Sequence, residues 1–255
     1  MMFGAEVEKS LQTMKTNYWR IAFTIAIYSV VVLGLNKIIV TAINGDLGSS
    51  FFIEFIASFA IWFLVSQAVS ESAVELLQEQ LTGTLEQLVT CSKPLVIVTY
   101  KYLFAFFQVL LSVTGILIIA SFFEELDFAH LFSSQFGLYI FYSFIVGYFL
   151  TLIVVGTQFV FNSAGDFAQI IFFVIFFVGG VIENPTPGSI QETLIYFLPI
   201  SPGIKLMRAN LNTLVLDPSQ LRAAFINLAG IIIMAIPIFY LAVNQVRQRN
   251  LWGGN

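Results

Sequence analysis

Glu71-Ser-Ala-Val-Glu75-Leu-Leu-Gln-Glu79-Gln-Leu-Thr82-Gly83-Thr84-Leu85-Glu86-Gln87-Leu88-Val89-Thr90-Cys91-Ser92-Lys93-Pro94-Leu-Val-Ile-Val-Thr-Tyr-Lys101 is the longest polar interruption in the first half of a very apolar chain. Thr82-Gly83-Thr84 ends one helical pattern and starts another. Thr84 is placed to act as an N-cap, and Gln87, three residues on, completes a capping box. The spacing predicts a short helix with Leu85, Leu88 and Val89 on one side and Glu86, Gln87 and Thr90 on the other. Pro94 stops it, because proline loses a helical hydrogen bond and disfavours helix in the residue before it. A short capped helix held in water between two membrane spans is suited to docking a soluble partner.

The segment Glu79-x-x-x-Gly83-Thr84-Leu85-Glu86-Gln87-Leu88-Val89-Thr90, followed by Lys93-Pro94 and Lys101, resembles the cytoplasmic loop of ABC-2 type permeases. These are the membrane subunits of one class of ATP-driven exporters. The resemblance implies that this short helix is a coupling helix seated in a groove of a separate soluble ATPase. Glu79, Gly83, Thr84, Leu85, Glu86, Gln87, Leu88, Val89 and Thr90 are then the ATPase-contacting residues. It also implies a second permease copy or homologue as partner, with ATP and Mg bound on the ATPase.

Composition supports a membrane setting. Of 255 residues, 58% are hydrophobic and only 10% charged, where a soluble domain carries roughly 25% charge. The 28 phenylalanines serve lipid-facing and interhelix packing, or line a greasy path for an apolar substrate. A net charge of −4 argues against nucleic acid as a partner. One cysteine, Cys91, and one histidine, His130, supply neither an internal disulfide nor the usual zinc site. No Gly-rich phosphate loop ending in Lys-Ser or Lys-Thr occurs, so any ATP used is bound by another chain.

The fold class expected is an all-α membrane protein of six transmembrane helices, forming a single permease domain over residues 1–255. Residues 1–17 place Phe3, Val7, Leu11 and Met14 on one face, suiting either a disordered tail or an interfacial helix. Spans are expected at about residues 18–43, 51–70, 94–122, 135–159, 167–182 and 223–243. The coupling loop occupies 71–93, and the helix of the second span continues into it. Glu71, Glu75 and Glu79 form an acidic stripe at i, i+4, i+8. That stripe is either a solvated face or a contact for Lys9 and Lys15, or for the ATPase. Lys101 is expected to snorkel to the headgroups. Lys37 and Glu54 flank one short turn at comparable depth and form a candidate membrane charge pair, structural or in the substrate path. Gly147 and Gly156 offer close helix approach.

The fifth span is short and breaks at Gly179-Gly180. Residues 186–221 are too apolar for an ordinary loop, and Pro199 and Pro202 interrupt them. Ile204, Met207, Leu211 and Leu214 mark one helical face, with Lys205, Arg208 and Asn212 taken to lie away from it. Two short helices, re-entrant or interfacial, answer this pattern. Permeases of the ABC-2 kind are similar here, which makes Pro199, Pro202 and Met207 the expected outer gate. With both termini cytoplasmic, Lys9, Lys15, Arg20, Lys93, Lys101, Arg247 and Arg249 lie inside, against Lys37, Lys205, Arg208 and Arg222 outside, in keeping with the positive-inside rule.

The function expected is therefore the permease subunit of an ABC exporter in a cell membrane, of the bacterial inner or plasma membrane type. Its substrate is amphipathic or apolar: a drug, peptide or lipid. It is not itself an enzyme. The alternatives are a secondary carrier or channel without an ATPase, or an intramembrane enzyme. For the last, Glu54, Glu124, Glu125, His130 and Glu183 are the available groups, and they converge by no motif.

Overall fold

A computed structural model describes residues 18–42, 49–81, 94–124, 134–160, 164–182, 188–213 and 217–252. Every regular element among them is a helix: α1 (Tyr18–Ala42), α2 (Ser49–Leu81), α3 (Pro94–Glu124), α4 (Ser134–Val160), α5 (Ala164–Val178), α6 (Ile190–Phe197), α7 (Ser201–Thr213) and α8 (Pro218–Trp252). Five of these, α1, α2, α3, α4 and α8, are long and apolar enough to cross a membrane. The chain is a multi-pass helical membrane protein by that measure.

The helices differ in what they bury. In the most apolar stretch of α2, 78% of residues are enclosed by protein, against 17% in α1. The second helix is therefore the central post and α1 a peripheral one. At ~1.5 Å per residue, the 33 residues of α2 extend roughly 50 Å, well beyond the ~30 Å of a bilayer's hydrocarbon. Aromatic rings fill the space around its midsection. Phe59 stacks on Phe63 at 5.6 Å, Trp62 meets Phe176 of α5 at 4.7 Å, and Tyr28 of α1 packs edge-on to Phe63 at 4.4 Å. The Trp62 indole N–H donates to the Phe172 carbonyl at 2.8 Å, tying α5 to the post.

Small residues set the closest approaches, as expected for helices that gain little from apolar burial in lipid. A Cβ on Gly156 would lie 3.1 Å from the Phe239 Cα, so α4 and α8 touch nearly backbone to backbone. At Gly147 the added carbon would overlap the buried Tyr102 hydroxyl, which donates to the Phe144 carbonyl at 2.8 Å and joins α3 to α4. Both glycines act as their spacing suggested.

The fifth helix stops at Val178. Gly180 follows with φ +84, a backbone conformation glycine adopts without cost. The last helix starts five residues before its expected span. Asp217 caps it by accepting the Ser219 N–H at 2.9 Å, and Pro218 fills the first helical position, where no N–H is needed. That backbone bond, then the one donated by the Ser219 hydroxyl, holds the Asp217 carboxyl below its ordinary value. The segments 1–17 and 82–93, carrying the expected interfacial and coupling helices, lie outside the described residues.

Candidate functional site

The charged and polar groups of the described protein gather at the two ends of α2. At one end stands the acidic stripe. Glu79 lies 2.8 Å from the Lys101 Nζ and Glu75 lies 3.5 Å from it. Lys101 is nearly closed off, with 9% of its side chain exposed, and Glu79 has 11%. Glu71 is paired with Arg20 of α1. Arg20 of α1 and Lys101 of α3 thus pair the stripe from within, two cations to three carboxylates, which corrects the solvated-face reading at Glu79 and the snorkelling expected of Lys101. The antiparallel α2–α3 hairpin explains the pairing. Lys101 is seven residues inside α3 and Glu79 two residues before the end of α2, so the loop between them folds one against the other. The seat of Glu79 is therefore a buried ion pair. Of the other residues named for ATPase contact, Gly83, Thr84, Leu85, Glu86, Gln87, Leu88, Val89 and Thr90 all fall in the undescribed loop 82–93.

At the opposite end, α6 and α7 fold over the break after α5. Ser189 caps α6 by accepting the Glu192 N–H at 3.1 Å, while the Glu192 carboxylate accepts the Gly188 N–H at 2.8 Å. Ser189-x-x-Glu192 has the capping-box spacing, with the carboxylate taking the N–H of Gly188, one residue before the cap. Lys205 of α7 donates to Glu192 at 2.8 Å and to the Tyr196 hydroxyl at 3.2 Å. Burial pulls the Lys205 ammonium down, and its bonds to Glu192 and Tyr196 outweigh that, leaving its pKa raised. The same Lys205 bond, then that from Gly188, holds Glu192 down. Asn227 of α8 donates to the Tyr196 carbonyl at 3.0 Å, closing the end of α6.

The corner between α6 and α7 carries the expected gate residues. Pro199 is half-buried, and Pro202 and Met207 are buried, Met207 completely. Pro202 opens α7 from within its first turn, where proline is tolerated. Ile200 adopts φ +73, a left-handed conformation that a β-branched side chain rarely accepts. Its carbonyl receives the Gly203 and Ile204 N–H groups at 2.9 and 3.1 Å, which start α7. A Cβ on Gly203 would overlap the Tyr142 ring of α4. Gly203→Ala should therefore lower stability by roughly 1–3 kcal/mol, as overpacking does, measured by thermal unfolding in detergent.

Arg208 lies on the buried side of α7, against the expectation that it faces away from the apolar stripe. It is 1% exposed and is the largest fully buried side chain among the described residues. Its Nε donates to the Ser58 Oγ of α2 at 2.7 Å, and its Nη2 to the Val181 and Ile182 carbonyls at 2.6 and 3.1 Å. Those carbonyls follow the end of α5 and have no helical partner of their own. One guanidinium thus joins α7, α2 and the broken end of α5. Helical arithmetic carried the signal: four residues past Ile204 is only about 40° around the helix, beside the apolar stripe and not behind it.

Lys37 is exposed near the far end of α1 and Glu54 half-buried in the second turn of α2. Both residues are engaged in interactions. Among the described residues, no group of three His, Cys, Asp or Glu is arranged to hold a metal ion. No family model and no curated protein matches this chain.

Proposed function

We propose that this chain is the permease subunit of an ATP-driven exporter of the ABC-2 kind, moving an amphipathic or apolar substrate outward. ATP is bound and hydrolysed with Mg on a separate soluble ATPase. Two copies of the permease, or this chain and a homologue, share the path. In this reading α5 is a short fifth crossing of six, α6 and α7 are outer re-entrant helices, and both termini face the cytoplasm of a cell with this protein in its plasma or inner membrane. Lys37 and Glu54 form a charge pair at the outer end of the first hairpin.

The observation that carries the reading is the clamped inner end of α2. A central helix overshoots the bilayer, and the buried Lys101–Glu79 pair locks it to α3. The helices on either side of loop 82–93 therefore move as one body. A push on the Gly83–Thr90 segment would pass straight into the most enclosed helix of the protein. Such stiffness is what mechanical coupling to an ATPase needs, and a passive surface loop does not.

The test is affinity purification of the solubilised protein from its native host, with and without Leu85→Asp together with Leu88→Asp. A nucleotide-binding ATPase is expected with the wild type and is expected to disappear with the double variant, since the two leucines proposed as apolar anchors become charged. A wild type that brings down no ATPase would sink the exporter reading and turn attention to an ion-gradient assay for a carrier.

A further inference from the structure

The Arg20–Glu71 pair borders a cavity that the export reading leaves unused. It measures about 170 Å³ and lies between α1, α2 and α3. Thr24 and Tyr28 line it from α1, Gln67 from α2, and Gln108 from α3. The carboxamides of Gln67 and Gln108 and the hydroxyls of Thr24 and Tyr28 make no hydrogen bond with any described residue. These groups open onto the cavity. Several polar groups around one cavity in an apolar setting suit a polar ligand.

Size and surroundings narrow that ligand. Pockets for drug-sized molecules run to roughly 300–1,000 Å³, so only a polar fragment enters here. The outer wall is α1, whose Trp19 and Phe23 are 70% and 68% exposed. Arg20 also borders a shallow apolar recess of about 620 Å³ along Trp19, Ala22 and Phe23. The rest of the ligand is therefore apolar and lies along α1 in the bilayer. Polarity is graded along the cavity. The charged pair stands at the helix end; Thr24 and Gln67 lie one turn in, and Tyr28 and Phe63 two turns in. A phospholipid lying in its own leaflet has the same order: charged headgroup, then ester oxygens, then hydrocarbon. Arg20 matches a phosphate, and Glu71 matches a primary ammonium.

We propose that the cavity between α1, α2 and α3 binds the headgroup and ester region of a zwitterionic aminophospholipid, with phosphate at Arg20, ammonium at Glu71 and ester oxygens at Gln67 and Gln108. The site does not rest on the export reading, because a carrier or channel of this fold would hold the same lipid.

Native mass spectrometry of the full chain in detergent tests it, with phosphatidylethanolamine, phosphatidylcholine, phosphatidylglycerol, soluble phosphoethanolamine and inorganic phosphate titrated separately. Phosphatidylethanolamine is expected to bind about tenfold more tightly than phosphatidylcholine, whose quaternary ammonium donates no hydrogen bond to Glu71. The soluble compounds are expected to give no saturable adduct. Gln67→Leu with Gln108→Leu should weaken the phosphatidylethanolamine adduct about tenfold without lowering the melting temperature in lipid-free detergent. Should that variant fail to fold, Thr24→Val with Tyr28→Phe carries the same comparison. Equal retention of the two zwitterionic lipids would overturn the proposal. So would a preference for phosphatidylglycerol, saturable binding of a soluble compound, or an adduct indifferent to the cavity substitutions. The readout needs no ATPase, so its failure is separate from failure of the exporter reading.

Discussion

Lys101→Met is expected to lower the stability of the full chain by about 3–5 kcal/mol, because it leaves the Glu79 carboxylate enclosed without its cation. Methionine keeps the length and apolar stem of lysine, so packing changes little and the charge is what is lost. Both partners are shut away from solvent, at 9% and 11% side-chain exposure, and 2.8 Å apart. Glu75, the second carboxylate on Lys101, is 41% exposed and can turn to water. The neighbouring Arg20–Glu71 pair gives the contrast. Its arginine is 56% exposed, and pairs of that kind contribute about 0–1 kcal/mol. Arg20→Ala should therefore shift unfolding far less. Removing both buried charges, as Lys101→Met with Glu79→Leu, should restore most of the loss, since an apolar pair in place of a buried ion pair is often neutral. Denaturant unfolding in detergent micelles reads all three. A Lys101→Met loss no larger than that of Arg20→Ala would mean that the α2–α3 clamp does not hold the helix ends as argued.

Some of this arrangement was legible in the chain and some was not, for physical reasons. The five long helices announce themselves by apolar length alone, and Gly179-Gly180 and Pro94 mark an end and a start through backbone chemistry that needs no tertiary context. Gly147 and Gly156 could be read as close approaches, though not which helix approaches. The acidic stripe was visible, but its partners were not. Pairing depends on how α2 and α3 lie against each other, and the stripe alone does not carry that register. Snorkelling was the natural reading for Lys101 considered on its own helix. A carboxylate on the adjacent helix changes the outcome. The unpartnered amides of Gln67 and Gln108 look ordinary in sequence, because only the packing of three helices puts them around one space. The cap formed by Ser189 and Glu192 is legible in its spacing, although apolar content dominates the segment around it.

Arg208→Met is the substitution with the most local consequence. It removes the donors that satisfy the Val181 and Ile182 carbonyls and the Ser58 hydroxyl. Each buried acceptor left unmade costs about 1–3 kcal/mol, while the apolar replacement relieves the desolvation of a guanidinium. Two carbonyls and a hydroxyl outweigh that relief, so a net loss of roughly 2–4 kcal/mol is expected. Arg208→Lys should recover only part of it. Lysine keeps the charge, but its single point cannot span Ser58 and the two carbonyls as a planar fork does. The loss should also be uneven. This contact joins α7, the end of α5 and the Ser58 turn of α2, whereas α4 and α8 are held by Gly156 against Phe239. Hydrogen exchange should therefore quicken across residues 188–213 and leave the α4–α8 pair protected. If protection fell equally in both places, Arg208 would be a general packing residue and not the pin that fixes α6 and α7 over the broken end of α5. In the exporter reading that pin governs the outer mouth of the path. A variant that loosens it while α2 stays clamped at its other end would separate opening of the outer mouth from coupling to the ATPase.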